Sequence, residues 1–418
     1  EGLLADGCLV VAPAALLANW ENELARFAPT LRCLRYHGTG RALKREKHQV
    51  FLTTYQTAVR DGGKLEREVF SLLIVDEAHL MKNAETRMAR TVKKLRPRFR
   101  LALSGTPVEN RLEDLRSLFD FILPGYLGTQ ADFKKEYRRP IEALRSREKA
   151  ESLRKITAPF LMRRLKTDKA IISDLPEKIT SCEYAALEKE QAALYESIVS
   201  ETMKKLETME GAERSALVFS LLTSLKQVCD HPRVYDKESP AASALSGKAR
   251  LLLTLLDEII SGGEKTLIFS QYVEALDCLN SIITAELGEA PLLYHGGLSQ
   301  KNRAAVIERF QTDGAARILL VSLKAGGLGL NLTAASRVIH YDLWYNPAVE
   351  SQATDRAFRI GQKRTVFVHR LITKNTFEEK IDAMITSKKE LAEMTVASGE
   401  SWLSRLSREE LGALFTRK

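Results

Sequence analysis

The sequence predicts an α/β protein of two doubly wound parallel-sheet lobes with helical insertions, and three observations predict it. Short, wholly apolar runs such as Cys8–Ala12, Leu72–Val75 and Leu267–Phe269 recur along the chain, as expected of strands buried on both faces of parallel sheets. Stretches with apolar residues at helical spacing separate them, the alternation of a doubly wound sheet. The same plan then returns in the second half, with no repeat that spacing alone detects.

Taken in order, Cys8–Ala12 is a strand stopped by Pro13, and Ala14–Phe27 places Leu16, Trp20, Leu24 and Phe27 on one helical stripe. Leu31–Tyr36 and Val50–Tyr55 read as further strands, with a basic, solvated stretch at Arg41–Lys47 between them. Thr53 and Thr54 end the second of these strands, where a hydroxyl either caps the next helix or touches a phosphate backbone. The Leu72–His79 stretch follows as a strand, then a helix from Thr86 to Leu95 and a strand from Phe99 to Leu103. Residues 109–172 are helical and rich in Leu, Phe, Lys and Arg, with basic knots at Arg138-Arg139 and Arg163–Lys166. Such knots read first as a solvated face and second as a nucleic-acid contact. The first lobe is thus expected over residues 1–172, and residues 173–246 are expected as linker and helical insertion.

Leu187–Val228 reads as one long helical segment, and Asp236–Ala244 as a polar loop. The second lobe, 247–386, alternates a helix Gly247–Ile260, a strand Lys265–Ser270, a helix 272–287, a strand Leu292–His295, a helix Gln300–Phe310 and a strand Arg317–Val321. Val338–Tyr341 and Val366–Leu371 complete its sheet. A charged amphipathic helix from Thr376 to about Thr395 and a helix from Trp402 to Phe415 finish the chain, residues 387–418 forming a tail.

Composition narrows the class. The 418 residues are 44% hydrophobic and 28% charged, the balance of a globular protein long enough for two or three cores. Lys and Arg number 63 against 54 acids, a net charge of +9 that favours a polyanionic partner. The five cysteines are scattered with no Cys-x-x-Cys pair, which predicts a reducing compartment and no structural zinc. No apolar run approaches the roughly 18 residues of a membrane helix. The expectation is an intracellular protein of the cytoplasm or nucleoid (the nucleus, for a eukaryotic source) with no membrane partner.

Three stretches carry chemistry. In Leu72–His79 four apolar residues run into Asp76, Glu77, Ala78 and His79. Ligands of such sheets bind at the carboxyl ends of strands. Two acids there suit Mg²⁺ binding by Asp76 and orientation and deprotonation of a water by Glu77; a solvated acidic turn is the other reading. Ser322–Asn331 follows a strand and is glycine-rich, so that Gly327 and Gly329 let backbone N–H groups approach a phosphate. A tight loop with no ligand is the alternative there. In Gln352–Gln362, helical spacing puts Gln352, Arg356 and Arg359 on one face. That face is either a clamp for phosphate or an exposed arginine-rich helix.

The order of these stretches resembles the SWI/SNF-type branch of superfamily-two ATPases, over most of the chain. The resemblance rests on Val10-Val11-Ala12-Pro13 with Asn19-Trp20, Asp76-Glu77-Ala78-His79, Leu103–Asn110 and Lys226–Pro232. It continues through Tyr294–Gly297, Gly326–Asn331, Leu343–Pro347 and Gln352–Gln362. The Arg359-Ile360-Gly361-Gln362 ending sets this branch apart from RNA helicases. The resemblance implies two RecA-like lobes with helical insertions and an ATP- and Mg²⁺-dependent enzyme that tracks on double-stranded DNA as a monomer, remodelling DNA-bound proteins. Asp76 would hold Mg²⁺, and Glu77 would act on the attacking water. His79 and Ser104–Thr106 would relay nucleotide state. Arg356 and Arg359 would serve as arginine fingers, with Gln352 and Asp355 beside them at the nucleotide. Thr54, Lys324, Trp344 and Tyr345 would line the DNA groove.

One departure qualifies this. The family continues Leu-Leu-Ala-Asp into a glycine-rich loop ending Gly-Lys-Thr, whereas here Leu3-Leu4-Ala5-Asp6 is followed by Gly7 and at once by the Cys8 strand. No Gly-Lys-Thr or Gly-Lys-Ser precedes Asp76; Gly63-Lys64 and Gly247-Lys248 run on into Leu and Ala, without the hydroxyl that binds Mg²⁺. Both flanks survive, the pattern of a phosphate-loop segment excised or left out of the sequence rather than of gradual decay. A true deletion would instead leave a catalytically inactive scaffold that binds DNA or a partner such as RNA polymerase.

Overall fold

The computed structural model describes residues 5–38, 41–43, 49–104, 112–144, 146–162, 175–323, 330–344, 347–392 and 407–417. The chain divides into two compact units, Glu1–Arg163 with Leu391–Ser398 and Arg164–Glu390 with Gly399–Lys418.

The first unit is built on five parallel strands, β1 (Cys8–Ala12), β2 (Arg32–Arg35), β3 (Gln49–Thr54), β4 (Leu72–Val75) and β5 (Phe99–Ala102), in the order β2-β3-β1-β4-β5. Every residue of β1 and β3 is buried, which is why β1 and the Val50–Leu52 centre of β3 read as apolar runs instead of alternating ones. Register pairs Val11 with Val75 across β1 and β4, and Val75 with Ala102 across β4 and β5. The strand expected through His79 stops at Val75, because Glu77 turns into the left-handed region at φ 50°. Side-chain caps fix the helices that follow the strands: Thr54 accepts from Thr57 N–H, and Thr86 from Ala89 N–H. The expected insertion is helical where described, with helices Leu112–Ile122, Gln130–Phe133, Arg139–Glu142 and Arg147–Thr157 around a core of Phe119, Phe133, Ile141 and Leu153.

The second unit carries six parallel strands, β6 (Lys178–Ala185), β7 (Thr266–Ser270), β8 (Leu292–Tyr294), β9 (Ile318–Ser322), β10 (Arg337–His340) and β11 (Val366–Thr373), ordered β6-β11-β10-β7-β9-β8. β6 corrects the sequence reading, which gave residues 173–246 to linker and helix. Its residues pair with β11 from Lys178–Val366 to Ala185–Thr373. As an edge strand with most side chains exposed or half-buried, it lacks the apolar run by which inner strands are read. The long helical segment also divides, into Lys189–Lys205 and Gly211–Asp230. These two helices pack with Phe377 and Ile381 and with Leu411, Leu414 and Phe415 of the last helix, Arg408–Phe415. Tyr195 donates its hydroxyl to the carbonyl of Phe415 at 2.8 Å, tying this tail into the unit. Gly247 opens the helix Gly247–Ser261 so close to the Ala186 carbonyl that a Cβ would lie 1.8 Å from its oxygen; only glycine fits there. Among the described residues no helix is long and apolar enough to cross a membrane.

Candidate functional site

In the first unit the carboxyl end of β4 gathers Asp76, Glu77 and His79, all half-buried. Asp76 continues the sheet by one bond, its N–H donating to the Val11 carbonyl at 2.9 Å. Each carboxylate oxygen then has one fixed donor: Trp20 Nε1–H reaches Oδ2 at 2.9 Å, and the Glu77 N–H reaches Oδ1 at 2.8 Å. Tyr55 holds the Asp76 carbonyl from behind at 2.7 Å. Burial pushes the Asp76 carboxyl up, while the Trp20 and Glu77 donors pull it back. The side chain is thereby held in one orientation with lone pairs left over.

Glu77 is one of two non-glycine residues with positive φ among those described, a conformation that costs an ordinary side chain about 1 kcal/mol. The turn brings Glu77 Oε2 to 3.2 Å from His79 Nδ1. A carboxylate beside an imidazole, next to a second, fixed carboxylate, is chemically suited to orienting a water and accepting its proton.

Among the described residues no group of three or more His, Cys, Asp or Glu side chains could hold a metal by itself. What is present, one carboxylate oriented by two donors with a second beside it, is the donor set that suits Mg²⁺, which keeps waters and takes one or two carboxylates together with substrate phosphates. It does not supply a triphosphate cradle. Gly7 alone separates Asp6 from Cys8, and it makes a tight turn at φ 78°. Asp6 N–H donates to Ser71 Oγ at 2.9 Å, Ser71 N–H donates to the Gly7 carbonyl at 2.9 Å, and Arg98 pairs with the Asp6 carboxylate at 2.7 Å. These bonds join the amino ends of β1 and β4, the end of the sheet opposite Asp76, and add nothing to a phosphate seat.

Thr54 does not face outward. It is buried, and its hydroxyl is engaged with Thr57 N–H at 3.1 Å and Thr57 Oγ1 at 3.0 Å. Of the two readings of this residue the cap is the one present, which takes Thr54 off a DNA-facing surface. Ser104 is half-buried, whereas Gly105 and Thr106 lie outside the described residues.

In the second unit the helix expected to carry Gln352, Arg356 and Arg359 on one face ends at Thr354 (Pro347–Thr354). The arginines sit on the turns that follow, so their placement rests on loop bonds and not on helical period. Arg356 is buried, and its carbonyl accepts from Leu332 N–H at 2.9 Å. Arg359 is half-buried, with Nη1 3.5 Å from the Leu330 carbonyl. Gln352 and Asp355 are half-buried too.

The organiser of this turn is Gln362, to which the sequence reading gave no role of its own. Its amide nitrogen lies 3.1, 2.8 and 3.1 Å from the carbonyls of Thr333, Ala335 and Ala357, and its oxygen accepts from Lys363 and Arg364 N–H. One buried amide so fixes the loop bearing both arginines. A polar residue closing an arginine-rich run was the available signal.

Trp344 is half-buried against the Phe358 core, its N–H held by Glu350 Oε1 at 3.0 Å. Lys324, Gly327, Gly329 and Tyr345 lie outside the described residues. Trp20 and Tyr55, the two side chains that fix Asp76, carried no assigned role in the sequence; a buried indole or phenol needs an acceptor, which is the clue they offered.

Comparison with known proteins places this geometry. Residues 4–234 match the SNF2-related domain, and residues 247–361 the helicase conserved C-terminal domain. Over 98% of its length the chain is 43% identical to YwqA of Bacillus subtilis, a protein named for an ATP-dependent helicase or translocase, and covers 45% of it. It is 32% identical, over 97% of its length, to the TATA-binding protein-associated factor MOT1 of Saccharomyces cerevisiae, covering 25% of that protein. The chain thus spans less than half the length of these relatives. The Sulfolobus solfataricus SWI2/SNF2 ATPase core in complex with dsDNA shares 38% identity at a TM-score of 0.53, covering 100% of this chain and 88% of that one. The two parallel sheets with their helices are accordingly two RecA-like lobes, and the chain belongs to the SNF2-related family of helicase-like ATPases.

Proposed function

We propose that the chain is the motor core of an ATP-dependent translocase on double-stranded DNA that displaces or remodels DNA-bound proteins. The observation that carries the reading is the end of β4, where Trp20 and a backbone N–H orient Asp76 and Glu77 turns back onto His79. Asp76 would hold Mg²⁺, which when bound neutralises developing phosphate charge. Glu77 would orient the water and take its proton, with His79 steering the carboxylate. In the second unit Arg356 and Arg359 would meet phosphate charge, with Gln352, Asp355 and the Gly327 and Gly329 loop at the nucleotide. Lys324, Trp344 and Tyr345 would contact the duplex through its backbone, binding that is blind to sequence and sensitive to salt. The net charge of +9 supports a polyanionic partner. The dsDNA-bound Sulfolobus core supports duplex over single strands. The yeast relative's name, a TATA-binding protein-associated factor, supports a DNA-bound protein as cargo.

The direct run of Asp6-Gly7 into Cys8, with no Gly-Lys-Thr or Gly-Lys-Ser before Asp76, favours a second reading, a DNA-binding scaffold without turnover. The intact mass of the purified protein, measured with ATPase activity with and without duplex DNA, separates the two. A mass above 46.9 kDa by a phosphate-loop segment of about twenty to thirty residues, with DNA-stimulated turnover, supports the translocase. A mass of 46.9 kDa with no turnover supports the scaffold and overturns the motor reading.

A further inference from the structure

Trp344 lies just beyond β10, and a chain of charged side chains links its backbone to the helix that follows β11. Its N–H donates to Glu350 Oε1 at 3.0 Å. Glu350 is buried on the helix Pro347–Thr354, and its Oε2 accepts from Arg370 Nε at 3.1 Å. Arg370, on β11, donates through Nη2 to Asp382 Oδ1 at 2.8 Å, with Nη1 3.6 Å from Cys182 Sγ on β6. Asp382 belongs to the helix Phe377–Ala392.

One turn earlier on that helix, Glu378 meets Lys248 Nζ at 2.8 Å, and Lys248 also pairs with Asp230 at 3.1 Å, all three side chains being fully buried. Residues 378 and 382 are four apart and share a helical face. Two cations, the buried Lys248 and the half-buried Arg370, therefore clamp this helix by one face, and the Arg370 clamp continues, through a second carboxylate, to the backbone N–H of Trp344. An ion pair serving stability alone would need one carboxylate on Arg370. The second one, Glu350, bridges to the loop, and in a buried setting such bonds are strong and directional.

We propose that Asp382 is a positioning residue which, through Arg370 and Glu350, fixes the loop carrying Trp344 and so sets how the second unit grips duplex DNA. This rests on the reading that Trp344 meets DNA, and the test separates the two.

With Trp20 and Trp402 replaced by Phe, Trp344 is the single remaining tryptophan and reports on its own loop. Acrylamide quenching of Trp344 and anisotropy of a fluorescein-labelled duplex are measured for this protein and for its Asp382→Asn, Asp382→Glu and Glu350→Gln derivatives. Asp382→Asn is expected to raise quenching of Trp344 and to weaken duplex binding by roughly three- to thirtyfold. Asp382→Glu should restore much of both. Adding Glu350→Gln to Asp382→Asn should cost no more than either change alone, because the two act in one chain. Unchanged quenching in a folded Asp382→Asn protein, or additive losses, would overturn the proposal. If quenching rises while Trp344→Ala binds duplex as before, the relay to the loop stands and the DNA reading beneath it fails.

Discussion

His340 offers a quantitative test of how the second sheet is packed. It ends β10, is 1% exposed, stacks on Phe269 with ring centroids 5.7 Å apart, and has Nε2 2.9 Å from Thr354 Oγ1. Burial, with the nearby Arg370 charge, pushes its pKa down from 6.5 to about 3. Unfolded, the ring takes a proton near pH 6.5; folded, it stays neutral until about pH 3. The folded state thus binds fewer protons in this window, and stability is full above the unfolded value and falls as the pH drops below it. Each pH unit below 6.5 removes about 1.4 kcal/mol, so acidification from about pH 7.5 to about pH 5 removes on the order of 2 kcal/mol through this residue. Asp342 and Glu350 are pushed up by burial, and Asp230 well up. They respond to acid in the opposite sense, so total stability alone is not the readout. The readout is the difference in urea unfolding free energy between the protein and its His340→Gln variant, which keeps a polar atom near Thr354. That difference should shrink by about 2 kcal/mol over this range, and the His340 ring resonance should not titrate above pH 5. A difference that is constant with pH, or a ring titrating near 6.5, would refute the argument.

Three further outcomes follow from the sites. In protein that turns over ATP, Glu77→Gln and Arg359→Ala are each expected to abolish hydrolysis while leaving duplex affinity intact; wild-type turnover in either would remove that residue from its role. Trp20→Phe deletes the N–H on Asp76 Oδ2, which should raise the carboxyl pKa further and increase the Mg²⁺ needed for half-maximal turnover about tenfold. An unchanged Mg²⁺ dependence would count against Asp76 as the metal ligand. Gln362→Leu keeps the volume but strands the carbonyls of Ala335 and Ala357, and should lower the unfolding free energy by about 2–4 kcal/mol. A loss below about 1 kcal/mol would mean that the loop does not depend on this amide.

The sequence by itself determined the parts governed by local rules. Strands that are largely buried carry apolar runs at their centres, so β1, β3, β4, β7 and β9 were legible as runs, and the carboxylates at the end of β4 were legible with them. Helix starts were legible where a Thr or Ser hydroxyl caps them, as at Thr86 and Ser299. The tertiary structure decided whatever depends on partners distant in the chain. β6 is a strand because β11, 188 residues away, offers a parallel edge, not because its own residues alternate. Thr54 faces inward because its nearest acceptor geometry is its own helix. Arg356 and Arg359 share a loop instead of a helical face, because Gln362 draws the chain back to Thr333 and Ala335. The union of Lys248 with Asp230 and Glu378 was equally invisible, since a buried charge is stable only where folding brings its counter-charges to it. Patterning reports what each residue prefers; it cannot report which distant group will satisfy a buried polar atom, and that satisfaction orients Asp76 and anchors Trp344.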